Sequence, residues 1–168
     1  MRSAQPQHDE FLKAYDLYAD AIFRHCYFRV YDREKAREMM QDVFMKTWEY
    51  LSKGKEVDSL RAFLYRVANN MIIDYSRRKK ESSLDTMREE GFEPAGVDRT
   101  TLAAEAGQVI ALLEKLDEKY RDAVKMRYLD DLSPKEIAHA LGETENVISV
   151  RIHRGIAQLR AVMARQSA

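Results

Sequence analysis

The chain has little of what disulfide-stapled, turn-rich or membrane-spanning proteins need. Its 168 residues include one cysteine, three prolines, six glycines and one tryptophan, and 28 basic side chains are matched by 28 acidic ones. A lone Cys26 excludes an internal disulfide. With four scattered histidines it supplies neither a Cys-rich zinc site nor a disulfide scaffold, which suits a reducing compartment. So few Gly and Pro residues argue against an all-β fold. No apolar run approaches the roughly 20 residues of a membrane span, and the opening MRSAQPQHDEF carries no hydrophobic signal segment. The expectation is a cytoplasmic protein without membrane insertion.

What is present favours helices: eight Met with abundant Ala, Leu, Glu, Arg and Lys. An all-α chain is expected, and the charge pattern divides it. Residues 1 to 80 hold 16 Lys/Arg against 12 Asp/Glu, residues 81 to 104 hold 2 against 6, and residues 105 to 168 hold 10 against 10. The middle stretch has two Gly, one Pro and no sustained apolar period, so 81–104 is expected to be a flexible acidic linker between two small helical domains, 8–80 and 105–165. A basic block and a basic terminal helix (Arg151, Arg154, Arg160 and Arg165) suit two surfaces that face a polyanion.

In the first domain Phe11, Tyr15, Tyr18, Ile22 and Cys26 recur at helical spacing and are expected inside. A second helix after Asp32 buries Ala36, Met39, Met40, Val43, Phe44, Thr47 and Leu51, leaving Arg37, Glu38, Gln41, Asp42 and Lys46 outside. A third, capped by Asp58 or Ser59, is expected to turn Leu60, Phe63, Leu64, Val67, Met71 and Tyr75 inward. Its remaining face combines Arg61, Tyr65, Arg66, Asn69 and Asn70, then the basic run from Arg77 and Arg78 to Lys80. Aromatic rings stack on unpaired bases, cations track phosphate and Asn bonds base edges, so this composition fits single-stranded nucleic acid.

In the second domain Ser133-Pro134-Lys135-Glu136 combines a capping Ser, Pro at the first helical position and a returning Glu. The short helix it starts is expected to bury Ile137, Ala138 and Leu141 and to stop at Gly142. A longer helix capped by Glu143 or Thr144 then turns Val147, Val150 or Ile152, Ile156 and Leu159 inward. Two helices joined by such a turn form a helix-turn-helix, whose second helix enters the major groove. Asn146, Ser149 and Arg151 are expected to contact bases, His153 and Arg154 phosphates or groove edges.

Ala36 to Trp48, Leu60 to Arg78, and Leu132 to Gly142 with Val150 to Arg154 together resemble one family. It is the bacterial sigma-seventy family of RNA polymerase sigma factors, in its small extracytoplasmic-function (ECF) group. The resemblance implies that the second helix docks on the largest polymerase subunit through Glu38, Gln41, Asp42 and Lys46. It implies that the third helix and the loop before it melt and read the minus-10 promoter element through Lys53, Lys55, Arg61, Tyr65, Arg66, Asn69, Asn70, Arg77 and Arg78. The helix-turn-helix would read the minus-35 element through Asn146, Ser149, Arg151, His153 and Arg154. The implied partners are core RNA polymerase, promoter DNA and an anti-sigma factor, with no cofactor. Glu38 stands where Asp is commoner in the family, Glu145-Asn146-Val147 replaces a Gly-Thr-Val-like turn, and Ser149 sits where Lys is frequent. Base preference therefore does not carry over.

A stand-alone helix-turn-helix regulator is the rival reading, distinguished by having no use for the Glu38, Gln41 and Asp42 face. An enzyme is not expected: Asp130-Asp131 and Glu89-Glu90 are adjacent in sequence and do not face one another, and no nucleophile, metal-ligand or phosphate-loop spacing occurs.

Overall fold

The computed structural model describes the backbone of residues 4–83 and 101–168, with side chains from 7 and from 105 onward. It contains α1 (Ala4–Val30), α2 (Arg33–Ser52), α3 (Leu60–Ser83), α4 (Thr101–Leu113), α5 (Glu118–Tyr128), α6 (Pro134–Leu141) and α7 (Glu145–Gln166), with no strand among the described residues. The fold is all-α, and the chain divides into two compact units, Met1–Ala95 and Gly96–Ala168. Of the stretch expected to link the domains, residues 84–100 lie outside the described residues.

In the first unit α1, α2 and α3 pack mutually. Asp32 caps α2 by accepting from the Lys35 amide at 3.0 Å, and Ser59 caps α3 by accepting from the Ala62 amide at 3.2 Å. The core joins Ile22 and Cys26 of α1 to Ala36, Met39, Val43 and Phe44 of α2 and to Leu64, Ala68 and Ile72 of α3. Thr47 is buried without penalty because its hydroxyl donates to the Val43 carbonyl at 2.7 Å. Tyr15, expected inside, is exposed over more than a third of its surface, although its ring meets Phe44 edge-on at 4.8 Å.

The inward face of α3 differs from the expectation. Ala62, Leu64, Tyr65, Ala68, Asn69 and Ile72 are buried, whereas Leu60, Phe63, Val67, Met71 and Tyr75 are half-buried. Because α3 packs against both α1 and α2, its covered arc is wide enough to take in residues the sequence pattern left on the outer side. Tyr65 is 1 % exposed and meets the buried His25 ring edge-on, centroids 5.1 Å apart.

The second unit is built around Leu113, Leu116 and Val124, with Ile156 and Leu159 of α7 packed on them. The Arg121 guanidinium donates to the carbonyls of Glu114 (3.0 Å) and Leu116 (2.9 Å), satisfying acceptors just past the end of α4. Glu114 in turn binds Arg121 at 3.0 Å and the buried Lys125, so that lysine's charge is compensated. Gln158 of α7 donates to the Asp117 carboxylate at 3.0 Å, tying α7 to the start of α5.

Gly155 lets α7 approach α5 closely: a Cβ there would lie 2.5 Å from Val124 Cγ2 and 3.3 Å from Tyr120 Cβ. Gly155→Val is therefore expected to lower the melting temperature of the second unit. Overpacking costs about 1–3 kcal/mol, and each kcal/mol is worth about 4–8 °C in a unit of this size. An unchanged transition by calorimetry on the full chain would show that α5 and α7 separate freely.

Candidate polymerase and nucleic-acid interfaces

Along α2, Glu38, Gln41, Asp42 and Lys46 are all exposed and, at spacings of three and four, occupy one face. Glu38 also pairs with Lys35 at 3.2 Å. Met45 lies among them, 61 % exposed. The hydrophobic pattern of the sequence does not single it out. Charges surrounding one exposed apolar side chain make a surface equipped for docking, because exposed charges add little to folding but set the orientation of a partner.

On α3 the candidate residues separate into two groups. Arg66, Asn70, Arg77 and Arg78 are exposed, Arg61 is half-buried, and Arg77 is steadied by Asp74 at 3.0 Å. Tyr65 and Asn69 are buried, which corrects their assignment to DNA: a ring closed in the core offers no face to a base, and the broad burial of α3 covers Asn69 as well. Aromatic surface lies elsewhere. Before α3, Lys53 and Lys55 are exposed on the loop, Lys55 Nζ stands 4.8 Å over the Tyr50 ring, and Tyr50 packs on Phe63 at 4.7 Å. This cation and aromatic pair escaped the sequence reading because its members come from α2, the loop and α3.

The second unit shows the expected turn geometry. Ser133 accepts from the Glu136 amide at 3.2 Å while the Glu136 carboxylate accepts from the Ser133 amide at 2.8 Å, and Pro134 opens α6. Gly142 closes α6 at φ +67°, a conformation that favours glycine, and Thr144 caps α7 by accepting from the Val147 amide at 3.3 Å. Ile137, Ala138 and Ala140 are buried, and Leu141, expected inside, is half-buried.

The inward face of α7 agrees with the expectation at Ile152, Ile156 and Leu159 and differs from it at Val147. Ile148 and Gly155 are the buried residues, with Ile152 half-buried on the same side, while Val147 and Val150 point outward. Asn146, Ser149, His153 and Arg154 are exposed as expected. Arg151 is half-buried and bound to the Glu143 carboxylate at 2.7 Å, so this acidic residue of the turn holds the guanidinium in place. Lys119 and Tyr120 at the start of α5 complete a groove of about 300 Å³ with Asn146, Val150, Arg151 and Arg154. A hydrogen bond from Arg154 pulls the Tyr120 hydroxyl's pKa below its ordinary value.

Among the described residues no cluster of His, Cys, Asp and Glu could hold a metal ion, and no helix is long and apolar enough to cross a membrane. The arrangement is thus an exposed charged row on α2, a basic and amide-bearing row on α3, and a cationic groove along the second helix of a helix-turn-helix.

Two family models match the chain. The one for Sigma-70 region 2 covers residues 14–82 and the one for Sigma-70, region 4 covers residues 106–159. The chain belongs to the sigma-70 family. Its relatives place it among the ECF sigma factors. It is 28% identical over 170 residues to the ECF RNA polymerase sigma factor SigW of Bacillus subtilis, spanning 90% of this chain and 88% of that protein. It is 26% identical over 154 residues to SigM of the same organism, spanning 90% and 93%. As an ECF sigma factor it binds core RNA polymerase and directs promoter recognition.

Two solved structures share the fold of this sigma factor. CnrH, in a complex with the cytosolic domain of CnrY, superposes with a TM-score of 0.71 at 21% identity, over 94% of this chain and 90% of that one. RpoE of Bartonella quintana, in a complex with the anti-sigma factor NepR, gives 0.71 at 19%, over 92% and 97%.

Proposed function

We propose that residues 8–80 of this sigma factor form the polymerase- and minus-10-binding domain and residues 105–165 the minus-35-binding domain, joined by an acidic linker. The α2 row Glu38, Gln41, Asp42 and Lys46, with Met45 among them, docks on core polymerase. The exposed α3 residues Arg66, Asn70, Arg77 and Arg78, with Arg61, Lys53, Lys55 and the Tyr50 ring beside it, hold the melted minus-10 strand. Asn146, Ser149, Arg151, His153 and Arg154 meet the minus-35 duplex. The protein performs no catalysis of its own and works in the cytoplasm, where polymerase and DNA are. An anti-sigma factor is the expected antagonist, since RpoE of Bartonella quintana, which shares this fold, was solved with one.

The observation that carries this reading is the exposed α2 row in the same chain as a helix-turn-helix. A stand-alone regulator has no need of it. Pull-down of purified core polymerase by the full chain separates the two: retention supports the sigma assignment, and no retention leaves the regulator.

Within this reading Asn70→Ala is expected to impair promoter melting more than core binding, since a bidentate amide contact to a base edge is worth about 1–3 kcal/mol. Permanganate footprinting would show weakened reactivity at the melted bases. Normal melting combined with lost core affinity would move α3 to the polymerase side.

A further inference from the structure

The most informative surface left unexplained is the pair of valines on the outer side of α7. Val147 is 37 % and Val150 41 % exposed, and a spacing of three makes them neighbours on the helix surface. Isolated exposed valines are ordinary on soluble proteins. These two share one groove with the cations Lys119, Arg151 and Arg154 and the amide of Asn146. The inward side of α7 is already filled by Ile148, by Gly155 against Val124, and by Ile156 and Leu159 against Leu113 and Leu116. The valines are therefore not spare core residues waiting to be covered by their own unit.

A cationic rim around an apolar floor suits duplex DNA, whose phosphates attract Lys119 and Arg154. On the base edges of the major groove the thymine C5-methyl is the one apolar group, so exposed aliphatic side chains on a helix in that groove discriminate thymine by contact. Arg151 stands beside them with its guanidinium oriented by Glu143, and Asn146 adds a donor and an acceptor suited to adenine. We infer that Val147 and Val150 read thymine methyl groups in the duplex bound by α7, making them specificity-determining residues of the upstream promoter element. The inference rests on the sigma-factor reading, since that reading brings α7 to DNA.

Removing only the methyl tests it. Holoenzyme reconstituted from the full chain and its cognate core polymerase is used to select duplexes from a pool with a randomised upstream segment, and each thymine of the enriched duplexes is replaced singly by deoxyuridine. Wild-type holoenzyme is expected to lose about fourfold in affinity at one or two upstream thymines, the worth of one buried methyl group. The double variant Val147→Ala/Val150→Ala is expected to bind the thymine and uracil duplexes alike at those positions. Equal wild-type binding of both duplexes at every upstream position overturns the inference, as does full uracil sensitivity in the double variant. If the pool yields no enriched upstream sequence, the sigma-factor reading fails and the inference falls with it. Enrichment together with indifference to uracil removes the inference alone.

Discussion

Reversing two charges on α2, Glu38→Lys with Asp42→Lys, is expected to abolish binding to core polymerase while leaving the melting curve of the chain unchanged. Both side chains are exposed, and the ion pair that Glu38 makes with Lys35 is a surface contact one helical turn long. Pairs of that kind contribute about 0–1 kcal/mol to folding, so the helix should survive. At a docking surface the same charges act differently, because like charges brought together across an interface cost several kcal/mol. The prediction is therefore a drop in core affinity of at least about a hundredfold, equivalent to two steps of 1.4 kcal/mol. It is to be measured by titration of labelled core polymerase beside a thermal melt. Retained affinity with an unchanged melt would remove α2 from the interface.

Tyr65→Ala is expected to destabilise the first unit by about 3–5 kcal/mol, the range for emptying a buried aromatic site. The ring is 1 % exposed and packs edge-on to the buried His25 of α1. Calorimetry should show a large loss for Tyr65→Ala. If Tyr65 contacted bases instead, Tyr65→Ala would leave stability intact and weaken only promoter melting.

Tyr65 also shows where the sequence is ambiguous. An aromatic residue beside Arg61, Arg66 and Asn70 has the composition of a nucleic-acid face, yet it stands three and four residues from Ala62, Ala68 and Asn69, which are buried with it. Two neighbouring helices cover α3, and a single-helix period does not reveal how many neighbours a helix has. On α7 the pattern held at Ile152, Ile156 and Leu159 and failed at Val147 for a related reason. Val147 and Val150 look like core residues by hydropathy, whereas the residue that closes the α5 and α7 contact is Gly155, which has no side chain to register in an apolar pattern.

Features encoded by local chemistry were legible. The capping box at Ser133 and Glu136, the Gly142 stop and the Thr144 cap all involve residues within a few positions of one another, where backbone donors and acceptors leave little choice. The exposed row on α2 was equally readable, since one strong apolar stripe fixes the opposite face. The Glu143 and Arg151 pair and the Tyr50, Phe63 and Lys55 group were not, because their members meet only once a turn or a second helix brings them together.

The central claim is that this chain gives core polymerase its promoter specificity, and run-off transcription tests it most directly. Purified core polymerase is supplied with fragmented genomic DNA, with and without the full chain, and the 5′ ends of the transcripts are mapped. The account predicts a discrete set of start sites that appears only with the chain and whose upstream DNA shares two short elements. Sequence-specific binding of DNA by the chain alone, with no start site that depends on it, would contradict the account.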